Sequence, residues 1–307
     1  MDRKILIADQ LHPVFKERAE KLGYLCDDMP GITRAETLDI LKDYSGIAIR
    51  TKFLIDREII DAGTKLRFIA RAGAGMDNVD EEYAIYRGIT CINAPEGNRD
   101  AVGEHVIGML LSLLNKLQNG DHQIRNGVWD REGNRGLELK GKTVAIVGYG
   151  NNGRSLARKL SGFEVNVIAY DKYKTGFSDA YATEVSMEQV VKQADILSFH
   201  IPLTRETKHL FNDEYLFHFK KPIVLLNASR GEVVNTQTVV KGLSDGRIWA
   251  AGLDVLEVEK FPDLAEQNWF NELKKSDKVI LSPHVAGWSV ESYRKISEVL
   301  AEKLKLI

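Results

Sequence analysis

The feature that most constrains this chain is an apolar strand that runs straight into a glycine-rich turn and then a helix. Lys142-Thr143-Val144-Ala145-Ile146-Val147 is the kind of continuous run buried on both faces of a sheet, and Gly148-Tyr149-Gly150-Asn151-Asn152-Gly153 follows it, ahead of a helical stretch over 154–160. In that context each glycine has its own task. Gly148 permits the tight turn, Gly150 lets backbone approach a pyrophosphate, and Gly153 lets helix and strand pack closely. The helix N-terminus, reached through Asn151 and Asn152 of the turn, offers unpaired N–H groups to the anion. A second strand over 165–170 ends in Asp171, an acid placed to accept hydrogen bonds from both ribose hydroxyls and to repel a 2′-phosphate. NAD is therefore the expected cofactor rather than NADP.

Short β-branched runs alternate with helical patterns along the whole chain. Strands are predicted near 5–8, 46–50, 67–71, 143–147, 165–170, 196–200, 223–227, 250–253 and 279–281, and this alternation is the signature of parallel α/β sheets. Between the first three strands and the rest lies one long helical segment, Arg99 to about Leu117, apolar nearly all round and so expected to be buried between domains or subunits. A homodimer follows as an expectation. The stretch from Gly120 to Gly141, with Trp129, Asp130 and Arg131, reads as a polar loop, and 295–307 reads as a helix. At 307 residues the chain exceeds what one core usually organises, which favours two domains.

The net charge of -2, with both signs interspersed, argues against nucleic acid as a partner. Cys26 and Cys91 are the only two cysteines and lie far from CxxC spacing, so neither a disulfide framework nor a metal site is expected, only buried reduced thiols. The first apolar run is too short for a signal sequence and the longest, around 106–114, is too short to span a membrane. A cytoplasmic protein with no membrane partner is expected.

Three further segments fall where strands end, the place where open α/β sheets hold ligands. Leu226-Asn227-Ala228-Ser229-Arg230-Gly231 presents a planar guanidinium fork suited to a carboxylate. The others are Gly252-Leu253-Asp254-Val255-Leu256-Glu257-Val258-Glu259 and Leu281-Ser282-Pro283-His284-Val285-Ala286-Gly287. An imidazolium at His284 is matched to proton donation near neutral pH, and a carboxylate on its other nitrogen favours that charged form. Glu259 or its rival Glu257 can supply it. The remaining histidines, His12, His105, His122, His209 and His218, have no such context and read as structural or solvent-facing. A fourth segment, Arg71-Ala72-Gly73-Ala74-Gly75-Met76-Asp77-Asn78, is a glycine-rich turn after a strand, able to expose backbone N–H groups as an anion nest.

Together these motifs resemble the D-isomer-specific 2-hydroxyacid dehydrogenases over nearly the whole chain. The resemblance implies that Arg230 binds the substrate carboxylate and carbonyl, that Glu259 is the acid partnering His284, and that Asp254 sits near the nicotinamide carboxamide. It implies further that His200-Ile201-Pro202-Leu203-Thr204 runs along the cofactor, with Ser229 and Gly287 lining it, and that Ala74 and Gly75 hold the substrate carboxylate. Asn93-Ala94-Pro95-Glu96-Gly97-Asn98 matches the crossover into the long helix, which brings Asn98 to the substrate. Three positions depart from the family pattern: Asn151-Asn152 replaces a basic residue and Ile, Arg99 replaces a small residue, and Lys260 follows Glu259 where Pro is usual.

The fold class expected is α/β with two Rossmann-like domains built on parallel sheets. A discontinuous substrate domain, 1–98 and 285–307, flanks an NAD-binding domain, 99–284, with the active site in the cleft. Within the family the run from Arg71 to Asp80 and the basic Arg50 are most similar to 3-phosphoglycerate dehydrogenases, in a short form without a regulatory domain. Arg50, Arg71, Lys52, Arg99 and Arg131 reaching in from a dimer partner are the cations expected for a phosphate. Glyoxylate or hydroxypyruvate reduction is the alternative, and a dinucleotide-sensing corepressor scaffold is an alternative of another class.

Overall fold

Most of the apolar runs form strands in a computed structural model that describes residues 3–307. The chain divides into two compact units, one of residues up to Arg99 together with Trp288–Ile307, the other Asp100–Gly287.

In the first unit β1 (Lys4–Ile7), β2 (Leu25–Asp28), β3 (Gly46–Ile49), β4 (Phe68–Arg71) and β5 (Thr90–Asn93) form a parallel sheet in the order β2-β1-β3-β4-β5. The strand period of two sorts the side chains between its faces. Leu6, Ile47, Ile49 and Ile69 pack in one core cluster, while Ile5, Ile7, Ala48 and Phe68 pack in another with Ile296 and Leu300 of the C-terminal helix. Gly46 is a glycine because a Cβ there would stand 2.1 Å from the Phe68 ring.

In the second unit β6 (Thr143–Val147), β7 (Asn166–Tyr170), β8 (Thr183–Glu184), β9 (Ile196–Phe199), β10 (Ile223–Asn227), β11 (Ile248–Leu253) and β12 (Val279–Leu281) form a parallel sheet ordered β12-β11-β10-β9-β6-β7-β8. Each sheet has one point where the strand order reverses, between β1 and β3 in the first and between β6 and β9 in the second. Connections leave in opposite directions there and open a crevice at the carboxyl ends. Gly148 and His200 follow β6 and β9, and Asp9 and Arg50 follow β1 and β3.

The structure corrects several local expectations. Strands β2, β5 and β8 were not legible because they are sheet edges, half exposed and without a continuous apolar run. The long helix runs Pro95–Leu114, beginning at a proline suited to the first helical turn and stopping before Lys116, whose φ is 50°. A second helix, Leu117–Arg125, occupies the start of the segment read as a loop. It buries none of its residues, so it lacks a core-facing stripe, and an Asp121–Arg125 pair across one turn supports it. The C-terminal helix is Val290–Lys303, begun earlier than its apolar pattern by a capping box between Ser289 and Ser292.

The unit boundaries also move, to Arg99/Asp100 and Gly287/Trp288. The second shift has a cause in the Asp254 carboxylate, which accepts from the amides of Val285 and Ala286 at 2.9 Å each and keeps them with the second unit. Among the described residues no helix is long and apolar enough to cross a membrane.

Candidate active site

The glycine loop after β6 has the shape a dinucleotide needs. Gly148 sits at φ 98°, and a Cβ there would lie 2.6 Å from the His200 carbonyl oxygen; at Gly153 it would lie 2.1 Å from the Gly148 carbonyl oxygen. Both positions are closed to a side chain by the protein itself. Gly150 is different: nothing lies within 4 Å of its would-be Cβ, so the space beside it is open to a ligand. It caps the helix Asn151–Leu160, whose first turn holds neither a capping side chain nor an acid, leaving its amides available to an anion. Asn152 Oδ1 is buried there without a hydrogen-bond partner among the described residues.

Asp171 is fixed at the end of β7 by its neighbours, Oδ2 accepting from Tyr149 N at 2.9 Å and Oδ1 from Tyr173 N at 3.0 Å. Each oxygen retains a lone pair for a ribose hydroxyl. Tyr149, a variable position of the motif by sequence, is buried and braces the loop. Its hydroxyl donates to Asp179 Oδ1 at 2.9 Å, its ring stacks on Phe177, and its carbonyl accepts from Lys174 Nζ at 2.7 Å. His200 turns its ring inward, Nε2 lying 2.8 Å from Ser198 Oγ, and burial pushes it down to about 4, so the ring is neutral. Its Nδ1 has no hydrogen-bond partner among the described residues. The Pro202 carbonyl accepts from Thr207 Oγ1 at 2.7 Å, which holds the following loop. These residues fit a bound dinucleotide.

Arg230 is aimed by the turn after β10. Buried Asn227 accepts from Ser229 N at 3.1 Å and Ser229 Oγ at 2.8 Å, and donates from Nδ2 to the Arg230 carbonyl at 3.0 Å. Arg230 Nη1 donates to the Ser229 carbonyl at 2.6 Å. Asn227 thus organises the turn, a role sequence reading left inside the motif without singling it out.

At the end of β11 the carboxylate of Asp254, 1% exposed, gathers the segment 282–286 through Ser282 Oγ at 2.6 Å and the amides of Val285 and Ala286; its carbonyl accepts from His284 N at 2.8 Å. His284 is held at φ 55°, a left-handed conformation that costs a non-glycine residue about 1–3 kcal/mol and persists only where neighbours enforce it. Gly287 closes the unit just beyond.

The two rival acids separate cleanly. Glu259 Oε2 lies 2.9 Å from His284 Nδ1. Glu257 instead accepts from Thr236 N at 2.6 Å and pairs with His209 Nε2 at 2.8 Å. The Glu259 hydrogen bond raises the His284 ring above the ordinary imidazole value, against burial, and the Arg230 charge also pulls it down. A ring biased toward its charged form beside a guanidinium has the chemistry of a proton donor next to an anion clamp.

In the first unit, Asp9 Oδ2 accepts from the amides of Arg50, Thr51 and Lys52 at 3.0, 3.1 and 3.1 Å, fixing the turn after β3. The Arg50 guanidinium lies over the Trp288 ring, 3.6 Å from its centroid, and its side chain makes no ion pair among the described residues. Burial lowers its affinity for a proton, with the Asp9 and Tyr293 charges opposing. Lys52, expected among the cations for a phosphate, is engaged elsewhere, donating from Nζ to the Pro30 carbonyl at 2.5 Å. Arg71 curls over its own turn, Nε 3.5 Å from Asn78 Oδ1. Asn93 Nδ2 donates to the Ala74 carbonyl at 2.7 Å and shapes the turn carrying Gly75. Asn98 Oδ1 is buried without a hydrogen-bond partner among the described residues. Arg99 contributes to the field at Glu96, and Arg131 is exposed on the irregular segment after the second helix.

A nucleotide loop at the reversal point of a parallel sheet, with a His–Glu pair and an Arg at neighbouring strand ends, defines a dinucleotide-dependent oxidoreductase. Comparison with known proteins narrows the class. The NAD binding domain of the D-isomer specific 2-hydroxyacid dehydrogenases matches residues 107–286, and the chain belongs to this family of oxidoreductases. It is 31% identical to a D-3-phosphoglycerate dehydrogenase of Methanocaldococcus jannaschii over 99% of its own length, and spans 57% of that relative. It is 34% identical to a glyoxylate reductase of Thermofilum pendens, covering 95% of this chain and 86% of the relative. Among solved structures, a Thermus thermophilus protein matches with a TM-score of 0.84 at 29% identity, covering 98% of this chain and 96% of the other.

Proposed function

We propose that this chain interconverts a D-2-hydroxy acid and its 2-oxo acid with NAD, and that its physiological pair is 3-phosphoglycerate and 3-phosphohydroxypyruvate. When bound, the nicotinamide supplies or accepts the hydride. Arg230 holds the carboxylate and the C2 oxygen, and His284 donates a proton to the C2 oxygen in reduction and removes it in oxidation. Glu259 keeps the imidazole oriented and charged for the reductive direction.

The observation that carries the substrate is Arg50. A guanidinium laid on an indole at the reversal point of its sheet, with no acid paired to it among the described residues, is a cation suited to an incoming anion, and a phosphate on C3 is such an anion. Reduction of glyoxylate or hydroxypyruvate is the second reading, favoured by the 34% identity to a glyoxylate reductase. A panel of both hydroxy acids and 2-oxo acids, followed by NADH absorbance, decides between them. Phosphorylated substrates are expected to lead, and Arg50→Ala to raise their KM selectively by about 1.5–3 kcal/mol, the worth of a charge-assisted contact. Faster turnover of glyoxylate by the unmutated chain gives the function to the second reading.

The protein acts as a homodimer in this proposal, in the cytoplasm. The helix Leu117–Arg125 buries nothing within its own unit and exposes Leu117 and Ile124, followed by exposed Val128 and Trp129, an apolar surface suited to a second copy.

A further inference from the structure

One titratable side chain beside the candidate site has no part in the chemistry proposed above. His105 lies on the long helix, with Nε2 2.9 Å from Ser282 Oγ and 3.5 Å from Asp254 Oδ1. Its sequence context gave no reason to separate it from the structural histidines, yet it touches the hydroxyl that anchors the His284 segment.

The direction of the protons follows from counting donors. Asp254 is buried and receives three donors, the Val285 and Ala286 amides and the Ser282 hydroxyl at 2.6 Å, so its oxygens act as acceptors. Ser282 has a single proton. Its other possible acceptor, Met109 Sδ, lies 3.9 Å away and is both longer and weaker, so the proton goes to the carboxylate. That leaves Ser282 Oγ facing His105 as an acceptor only. His105 must therefore carry its proton on Nε2, where it donates to Ser282 and lies close to Asp254.

Asp254 is in turn the anchor of the segment bearing His284, through both its carboxylate and its carbonyl. We propose that His105 is a positioning residue for the dehydrogenase reaction: its Nε2–H, passed through Ser282, fixes the Asp254 carboxylate and with it the left-handed His284. The kinetic part rests on the proposed function, while the tautomer and its effect on His284 do not. Asp254 is faced by His105 from the helix and by Ser282, Val285 and Ala286 from the segment it holds. His284 is faced by Glu259, Arg230 and Asp254.

The test uses the full chain labelled with 15N-histidine, unmutated and as His105→Gln and His105→Leu. Glutamine places an amide donor where the imidazole Nε2–H stands, and leucine fills the volume without a donor. Long-range nitrogen spectra of the unmutated chain should show the signals lost in both variants to be those of an Nε2-protonated ring. The His284 titration midpoint, assigned with His284→Gln, should fall in His105→Leu as the Glu259 contact loosens, and hold in His105→Gln. With NADH, kcat for 2-oxo acid reduction should drop roughly ten- to a hundredfold in the leucine variant, as for a small misplacement of a reacting group, and recover with glutamine.

An Nδ1-protonated ring overturns the proposal, and so does an unchanged His284 midpoint in His105→Leu. Equal losses in both variants overturn it too, since the donor would then not be what matters. If the leucine variant does not fold, the tautomer and the glutamine variant still decide. If the unmutated chain reduces no 2-oxo acid, the proposed function fails by itself and the spectra continue to decide the role of His105.

Discussion

Replacing Gly231 by alanine tests how tightly the two halves of the candidate site are coupled. Gly231 follows Arg230, and a Cβ added there would lie 1.9 Å from the Leu256 carbonyl oxygen, 2.1 Å from its carbon and 2.7 Å from Glu257 N. Ordinary contact begins at 3.4 Å, so two backbone segments would have to part by more than an ångström. Neither can yield freely: Arg230 is held by Asn227, and Glu257 is pinned to Thr236 N and His209. Overpacking of this kind costs about 1–3 kcal/mol, and a collision with backbone belongs at the upper end. A displacement near 1 Å at Arg230 or Glu259 is worth on the order of a hundredfold in rate.

The measurement pairs urea unfolding with kcat/KM and with NADH binding. Gly231→Ala should lose stability and turnover while binding NADH as before, because the nucleotide loop is elsewhere on the sheet. Gly150→Ala is the counterpart, since nothing of the protein stands within 4 Å of its added Cβ. It should leave the unfolding midpoint in place and weaken NADH binding. Near-normal stability and turnover in Gly231→Ala would refute the packing argument, and a Gly150→Ala variant that lost stability without losing affinity would refute the reading of the open space.

The other expectations use simpler perturbations. Glu259→Gln replaces the carboxylate that raises His284 with a neutral amide, so the protonated ring is lost at lower pH and the reductive kcat/KM profile should shift to lower pH; a shift with Glu257→Gln alone would show that the wrong acid had been assigned. NADH should be preferred over NADPH by at least about tenfold in kcat/KM, and Asp171→Ala should narrow that gap, with equal use by the unmutated chain counting against the ribose assignment. Ile124→Glu on the exposed helix should convert a dimer to monomer in light scattering, and an unmutated chain that is monomeric throughout would remove the second copy from the proposal.

The sequence was most informative where burial and chemistry coincide. β6 and β10 are continuous apolar runs because both faces of the sheet are covered, and the residues that follow them, Gly148 and Arg230, could be placed at strand ends for that reason. Edge strands were hidden because half-exposed positions tolerate polar residues, as Asp27 and Asp28 in β2 do. The helix Leu117–Arg125 was hidden because it buries none of its residues and so carries no core-facing apolar stripe. Site residues that act through others, Asn227, Tyr149 and His105, carry no spacing signal: their partners are distant in sequence or are backbone atoms, and only the fold brings them together.

The choice between Glu257 and Glu259 illustrates why such roles escape a linear reading. Two acids two residues apart, beside one histidine partner, are equivalent as chemistry. Packing makes them unlike. The Leu256 backbone lies against Gly231 so closely that no side chain fits between, which places Glu257 against the start of the helix Thr236–Asp245, where the Thr236 amide and His209 take up both of its oxygens. Glu259, further along the same irregular stretch, is then the acid left to meet His284. The glycine of the Asn-Ala-Ser-Arg-Gly segment therefore serves the histidine as much as the arginine: it lets the chain pass at the distance that separates the carboxylate bound to Thr236 and His209 from the one that meets His284 and favours its charged form.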